Sequence, residues 1–216
     1  MASANNTLLE ADRAATLRRF DVSHETSKRL DAFVDLLRTW QAKTNLVAPS
    51  TLDSIWSRHI ADSLQLLSLA PGARNWIDLG SGGGFPGIVI AATLNSPAQV
   101  HLVESNGKKA AFLREAARVT GAPATIHAQR IEQFSQQFQG DVDTVTARAL
   151  APMTELLGYV APLLKTGAQA LLLKGQDVAD ELTQAAKYWR IEYALQPSQT
   201  DPNARIVIVR GLERIA

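Results

Sequence analysis

Apolar residues near the start of the chain recur at helical spacing. Between Ser23 and Lys43, residues Leu30, Phe33, Val34, Leu37 and Trp40 fall on one face, with Lys28, Arg29, Asp35 and Arg38 elsewhere on the wheel, which predicts an amphipathic helix. Ser50-x-x-Asp53 has the form of a capping box and precedes Ile55, Trp56, His59, Ile60, Ser63, Leu64 and Leu67, which predicts a second helix ended by Pro71-Gly72. From Arg74 onward the pattern changes to short apolar runs alternating with helical stretches. Strands are predicted over 76–79, 100–104, 124–128, 143–147 and 168–173, and helices over 87–94, 108–119, 153–164 and 178–189. Gly121, Pro123 and the pair Thr166-Gly167 mark turns between them. Such alternation predicts a doubly wound parallel α/β sheet. The last two β-rich runs, 191–195 and 205–209, lie too close together for a helical crossover and are expected to pair antiparallel. The expected architecture is a mostly parallel seven-stranded sheet closing in a C-terminal hairpin over residues 73–216, with residues 1–72 a helical extension packed on it.

With 216 residues, a net charge of +1 and no cysteine, the chain suits one compact unit and can form neither a disulfide nor a cysteine-based metal site. Four scattered histidines give no reason to expect a metal. Near-neutral charge argues against a general nucleic-acid coat protein, so any RNA binding must rest on a local patch. The stretch from Met1 to Glu10 lacks a basic flank followed by an apolar core, and no later run approaches a membrane span, so a cytoplasmic protein without membrane contact is expected.

The densest chemistry follows the first predicted strand, at Asp78-Leu-Gly80-Ser-Gly82-Gly83-Gly84-Phe85-Pro86-Gly87. Strand, glycine loop and helix in that order form a nucleotide-cofactor site, because glycine permits positive φ and close approach of a ligand to backbone. Two frames compete. Gly82-x-Gly84-x-x-Gly87 matches the dinucleotide fingerprint. Asp78-x-Gly80-x-Gly82-x-Gly84 instead ends the strand in a carboxylate. S-adenosylmethionine carries an α-ammonium and no phosphate, so acceptors near the loop suit it, whereas a pyrophosphate wants bare amides. The methyl donor is therefore favoured over NAD, against a plain alternative in which Asp78 only caps the turn. Glu104, roughly twenty residues on at the end of the second strand, is placed to accept both ribose hydroxyls, which suits either cofactor.

Six segments in order resemble one family. They are Asn45-Leu46, Arg58-His59-Ile60-Ala61-Asp62-Ser63, the loop from Asp78 to Gly87, Lys108-Lys109 before Phe112-Leu113, Thr146-Ala147-Arg148-Ala149-Leu150, and Leu173-Lys174-Gly175-Gln176. Together they are similar to the RsmG family, also called glucose-inhibited division protein B, and the Pro-Gly ending of the loop is typical of that family. The resemblance implies S-adenosylmethionine-dependent methylation of guanine N7 in a loop of small-subunit ribosomal RNA near the decoding centre. It further implies that Gly80 and Phe85 contact the donor, Glu104 its ribose, Ile131 and Glu132 its adenine region, and Arg148 the cofactor or target. The loop residues Asp78, Gly82 and Gly84 complete the expected cofactor set.

Guanine N7 has a free lone pair at neutral pH, so no general base is expected. The chain lacks the Asn-Pro-Pro-aromatic tetrapeptide of amino-group methylases, with Ala147-Arg148-Ala149-Leu150 standing after strand four. Arg148 is expected to position rather than to exchange protons. It can bond O6 alone, a phosphate, or the donor's carboxylate, the last being favoured; a structural alternative pairs it with Asp143. RNA contacts are expected at Lys174 above all, then Arg130, Lys108 and Lys109, with Arg114 and Arg118 on the same helix face. Phe85 or Trp56 could stack an unpaired base, although Trp56, Trp40 and Phe33 fit the core better. His59 and Asp62 share a helix face and could pair with each other. The expected partner is the small-subunit RNA within an assembled or assembling subunit, bound by a monomer. Competing readings are a methyltransferase for a protein or small molecule, and a nucleotide-binding module or NAD enzyme.

Overall fold

The computed structural model describes residues 2–94, 97–164 and 167–215, so Thr166 of the expected turn lies outside the described residues. Seven strands form one sheet: β1 (Asn75–Leu79), β2 (Gln99–Val103), β3 (Ala124–His127), β4 (Thr144–Arg148), β5 (Gln169–Lys174), β6 (Trp189–Pro197) and β7 (Arg205–Arg214). Their order is β3-β2-β1-β4-β5-β7-β6, with β7 antiparallel to both β5 and β6 and the other pairs parallel. The inner strands β1, β4 and β5 are buried along nearly their whole length, as expected where helices cover both faces. The order reverses between β1 and β4, and a sheet of this kind opens a crevice at the carboxyl ends of the strands on either side of such a reversal. Asp78 of β1 lies beside both Leu102 of β2 and Thr146 of β4.

The helices are α1 (Ala2–Arg19), α2 (His24–Gln41), α3 (Ala61–Leu64), α4 (Gly87–Thr93), α5 (Gly107–Thr120), α6 (Ile131–Gln137), α7 (Met153–Val160) and α8 (Val178–Ala185). One buried cluster joins Leu30, Phe33 and Leu37 of α2 to Trp76, Ile88, Val100 and Phe112, so the predicted apolar face of α2 covers α4 and α5. The opposite face buries Ile77, Val145, Leu157, Leu172 and Val207 beneath α7 and α8.

The structure departs from expectation where local patterning was weakest. Helices α1 and α6 were not predicted. Leu8 of α1 is exposed, but Leu9 and Leu17 pack on the core, and Arg13 grips Asp31 at 2.5 and 2.6 Å. Helix α6 spans under two turns and buries only Phe134 and Ser135. The Ser50 capping box does not form. Pro49–Ser54 is a 3-10 turn after an uncapped Ala48, followed by a π-helical turn Trp56–Ile60, then α3 and a further 3-10 turn Gln65–Leu69. Capping comes from afar, because Oδ2 of Asp12 accepts the amides of Trp56 and Ser57 at 3.1 and 3.2 Å. Helix α8 ends at Ala185, releasing Trp189 to start β6, which pairs with β7 through a bulge at Glu192/Tyr193.

Candidate active site

The chain leaves β1 and crosses the end of β2, the amides of Gly80 and Ser81 both donating to the carbonyl of Val103 at 2.9 and 3.1 Å. Gly82 has φ +51°, and a Cβ built there would find only the Gly80 carbonyl oxygen, at 3.6 Å, so its outer side is open for a ligand. Gly87 serves packing, since a Cβ would stand 2.6 Å from Oδ2 of Asp78 and 2.9 Å from Leu102. Glu104 follows β2 and is 9% exposed; its Oε2 accepts the Gly82 amide at 3.0 Å and its Oε1 the Asn106 amide at 2.7 Å. Acid and glycine loop thus stand side by side, although they are separated by more than twenty positions.

Asp78 faces the other way. It is 1% exposed, Oδ2 accepting the Gly87 amide at 3.1 Å and Oδ1 the Thr146 hydroxyl at 2.9 Å. Burial raises its pKa to about 6 against the opposing pull of these hydrogen bonds. The expectation that Asp78 meets a donor ammonium is corrected on this point: the carboxylate lies under the loop and ties it to α4 and β4.

Arg148 ends β4 on the far side of the crevice. Its Nη1 donates to Oδ2 of Asp62 at 3.0 Å and to the Arg58 carbonyl at 3.2 Å, and its Nη2 to Nδ1 of His59. A guanidinium only donates, so Nδ1 accepts and Nε2–H of His59 donates to Oγ1 of Thr51 at 2.8 Å. Burial first, then the charges of Arg148 and Arg58, lower the His59 pKa to about 3, which keeps the ring neutral. The imidazole stacks on Phe85, with ring centroids 4.9 Å apart, and Cζ of Arg148 lies 5.5 Å from that ring's centroid. Phe85 is 5% exposed and also packs on Phe33, so it supports the site from beneath instead of offering a face to donor or base. Trp56, 1% exposed, is core. His59 and Asp62 do not pair with each other; they converge on Arg148, while Asp143 accepts the Arg74 and Asn75 amides.

Lys174, at the end of β5, is also engaged. Its Nζ donates to Oε2 of Glu181 at 2.6 Å and to the Ala151 carbonyl at 2.7 Å, and the side chain is 10% exposed. The same Glu181 oxygen accepts the Met153 amide at 2.6 Å. Lys174 therefore braces the segment after β4, where Ala149 takes φ +50°, and its charge is matched within the fold by Glu181. A cleft of about 800 Å³ lies between Arg148 and Lys174 and is also lined by Arg58, Asp62, Thr200 and Arg205.

The remaining expected residues surround the loop. Lys108 is exposed and Lys109 half-buried at the start of α5, where Asn106 caps both amides. Ile131 and Glu132 begin α6 half-buried, Glu132 accepting from Tyr159 at 3.3 Å and pairing at 3.2 Å with the exposed Arg130. Sequence reasoning missed Glu181, Thr200 and the joint aim of His59 and Asp62. Only the three-residue spacing of the last two hinted at a shared purpose.

Order β3-β2-β1-β4-β5-β7-β6, a glycine loop after β1 and an acid after β2 together define a class I S-adenosylmethionine-dependent methyltransferase. Solved structures agree on the fold. Ribosomal protein L11 methylase from Lactobacillus delbrueckii matches with TM-score 0.54 at 14% identity over 73% of this chain and 78% of that one. TYW2 of M. jannaschii, solved in complex with AdoMet, matches with TM-score 0.54 at 15% identity over 73% of this chain and 76% of that one. The family described as GidB, rRNA small subunit methyltransferase G, matches residues 26–204, and the chain belongs to it. Ribosomal RNA small subunit methyltransferase G of Bradyrhizobium sp. (strain BTAi1) is 57% identical over 96% of this chain and 94% of its own length. The protein of the same description from Bradyrhizobium diazoefficiens is 58% identical over 99% of this chain and 84% of its own length.

Proposed function

We propose that this chain methylates N7 of a guanine in a loop of small-subunit ribosomal RNA, using S-adenosylmethionine. The observation that carries the reading is the contact of Glu104 with Gly82, which sets a ribose-accepting carboxylate beside an open glycine backbone at the carboxyl ends of β1 and β2. These residues fit a nucleoside donor with no phosphate: the amides of Gly80, Ser81 and Gly84 already donate to carbonyls, and that of Gly82 donates to the Glu104 carboxylate, whose charge would repel a phosphate. Gly80, Gly82 and Gly84 would hold the donor's methionine end, Glu104 its ribose hydroxyls, and Ile131 and Glu132 its adenine side. When bound, the donor supplies an electrophilic methyl carbon that the guanine N7 lone pair takes as the carbon–sulfur bond breaks, so a neutral thioether leaves and the positive charge passes to the base.

The protein's part is alignment and charge. No proton has to leave N7, and the three half-buried carboxylates of the cleft, Asp62, Glu181 and Asp201, are already paired with Arg148, Lys174 and Arg58. Misplacing the acceptor by about 1 Å can cost on the order of a hundredfold in rate, so a braced wall serves the reaction directly. Arg58 and Arg205 in the cleft, with Lys108, Lys109 and Arg130 around the loop, would meet RNA phosphates, a footing supported by their positions on one rim of the sheet. Residues 1–72 would serve as a helical extension to the methyltransferase unit of residues 73–216, a division supported by the onset of β1 at Asn75. With a net charge of only +1, the chain would act in the cytoplasm as a monomer on assembled or assembling subunits, whose folded RNA supplies part of the recognition. Among the described residues, no helix is long and apolar enough to cross a membrane.

The test incubates the protein with radiolabelled S-adenosylmethionine and undermethylated small subunits, alongside RNA extracted from them, then digests the RNA and identifies the labelled nucleoside. Label in 7-methylguanosine is expected, and stronger labelling of the subunit than of free RNA supports the assembled substrate. Donor binding without label in either RNA would overturn the assignment and favour a protein or small-molecule acceptor.

A further inference from the structure

We propose that Asp62 is a positioning residue of the transfer site: it aims Arg148 into the cleft and cancels its charge where the acceptor base becomes cationic. This rests on the methylation reading above. Asp62 belongs to α3, before the sheet begins, yet it faces the end of β4, and both of its oxygens are used. Oδ2 holds Nη1 of Arg148 at 3.0 Å, while Oδ1 accepts from Nε2 of Gln65 at 2.7 Å and from Oγ1 of Thr200 at 2.8 Å. Gln65 in turn accepts the Gln199 amide at 2.8 Å, so the carboxylate is anchored to the β6–β7 connection and cannot follow a moving arginine.

The side chains of Arg148 and Asp62 are 18% and 17% exposed, which leaves the pair only partly screened by water. The second partner of Arg148, His59, is neutral and gives direction without charge. Charge at this point of the wall is therefore set by Asp62. An unpaired guanidinium facing the acceptor would oppose positive charge growing on the base. A paired one still offers N–H groups to a base oxygen or a phosphate, and adds little net field. Two neighbouring cations follow the same plan, Arg58 pairing with Asp201 at 3.4 Å and Lys174 with Glu181 at 2.6 Å, while Arg205 is held in place by two carbonyls at 2.8 Å.

The experiment compares Asp62→Asn, Arg148→Ala and the double variant in single-turnover methylation of undermethylated subunits. Alongside it, S-adenosylhomocysteine affinity is measured by calorimetry and folding by thermal melting. Asp62→Asn is expected to slow transfer on the order of 10- to 100-fold, and the double variant to be no slower than Arg148→Ala, because Asp62 acts through that residue. Asp62→Glu, which keeps the charge, should recover part of the loss. Independent losses that multiply in the double variant, or a wild-type rate in Asp62→Asn, would overturn the proposal.

A second readout needs no activity. In the protein without donor, the 15N–1H signals of the Arg148 guanidinium should be sharp and slow to exchange, and should broaden in Asp62→Asn; unchanged signals would also overturn the proposal. A wild-type chain that labels no RNA, with the broadening still seen in Asp62→Asn, would fault the functional reading and leave the Asp62–Arg148 unit standing.

Discussion

The two walls of the crevice are built in opposite ways. On the donor side, side chains hold backbone: Asp78 accepts the Gly87 amide, and Glu104 accepts those of Gly82 and Asn106. All of these residues lie between Asp78 and Gly87 or within the next strand and turn. On the acceptor side, long side chains hold one another: Arg148 with Asp62 and His59, Lys174 with Glu181, and Asp62 with Thr200, drawn from elements spread over most of the chain. A small invariant ligand is well served by main chain, whose geometry tolerates little variation. A negatively charged polymer is met by cations on flexible stems, and those need fixed partners before they can point anywhere in particular.

The sharpest way to break this contrast is at the loop. Gly82→Val puts a branched side chain where only a carbonyl oxygen at 3.6 Å now limits the space, at φ +51°. It should weaken S-adenosylhomocysteine binding by about a hundredfold or more in a calorimetric titration, through lost backbone approach together with αL strain. Gly83→Ala makes a useful control: its Cβ would meet the Leu46 carbonyl oxygen at 2.7 Å, so the thermal midpoint should fall instead. Equal donor affinity in Gly82→Val and the wild type would remove the loop from the binding site.

Glu104→Gln comes next. Losing charge-assisted bonds to the ribose should weaken the same titration by roughly 10- to 100-fold, in line with about 1.5–3 kcal/mol for a hydrogen bond to a charged group. On the opposite wall, Glu181→Ala leaves Lys174 and the Met153 amide without their shared acceptor. A loss of about 1–3 kcal/mol in denaturant unfolding is expected, with donor affinity unchanged. A drop in donor affinity equal to that of Glu104→Gln would show that the two walls are not independent.

The smallest effect at neutral pH concerns His59. Its folded pKa, about 3, lies below the ordinary 6.5, so the unfolded chain binds the extra proton first and stability falls as pH drops from about 6.5 toward 3. Asp78 has the opposite sign: its pKa is raised from 3.8 to about 6, so its contribution is full below about 3.8 and is lost as pH rises through 6. Melting curves of wild type and His59→Gln between pH 4 and 7 separate the two. The variant should overtake the wild type as pH falls, and parallel curves would refute a neutral buried imidazole.

Much of this was legible from local pattern. The five parallel strands, the closing antiparallel pair, the glycine loop and Glu104 were all predicted, because buried parallel strands are short apolar runs and the loop's conformation needs glycine. The capping box at Ser50 was misleading because the amides that need a cap are served by Asp12, which is 44 positions from Trp56. Lys174 reads as a free cation until Glu181 is seen across it, and Phe85 as a solvent-facing aromatic until His59 and Phe33 cover it.

The sequence by itself determined the succession of strands from β1 to β5, the closing antiparallel pair and the place of the glycine loop, since these depend on backbone conformation and on hydrophobic period over a few positions. Tertiary structure alone decided which way Asp78 faces, what neutralises Arg148 and Lys174, and how α3 and the β6–β7 connection come to share one carboxylate. Those outcomes depend on which charged side chains meet at distances near 3 Å after folding. Hydrophobic patterning does not encode such pairings, because a charge can satisfy itself with any partner, or with water, until packing leaves it a single choice.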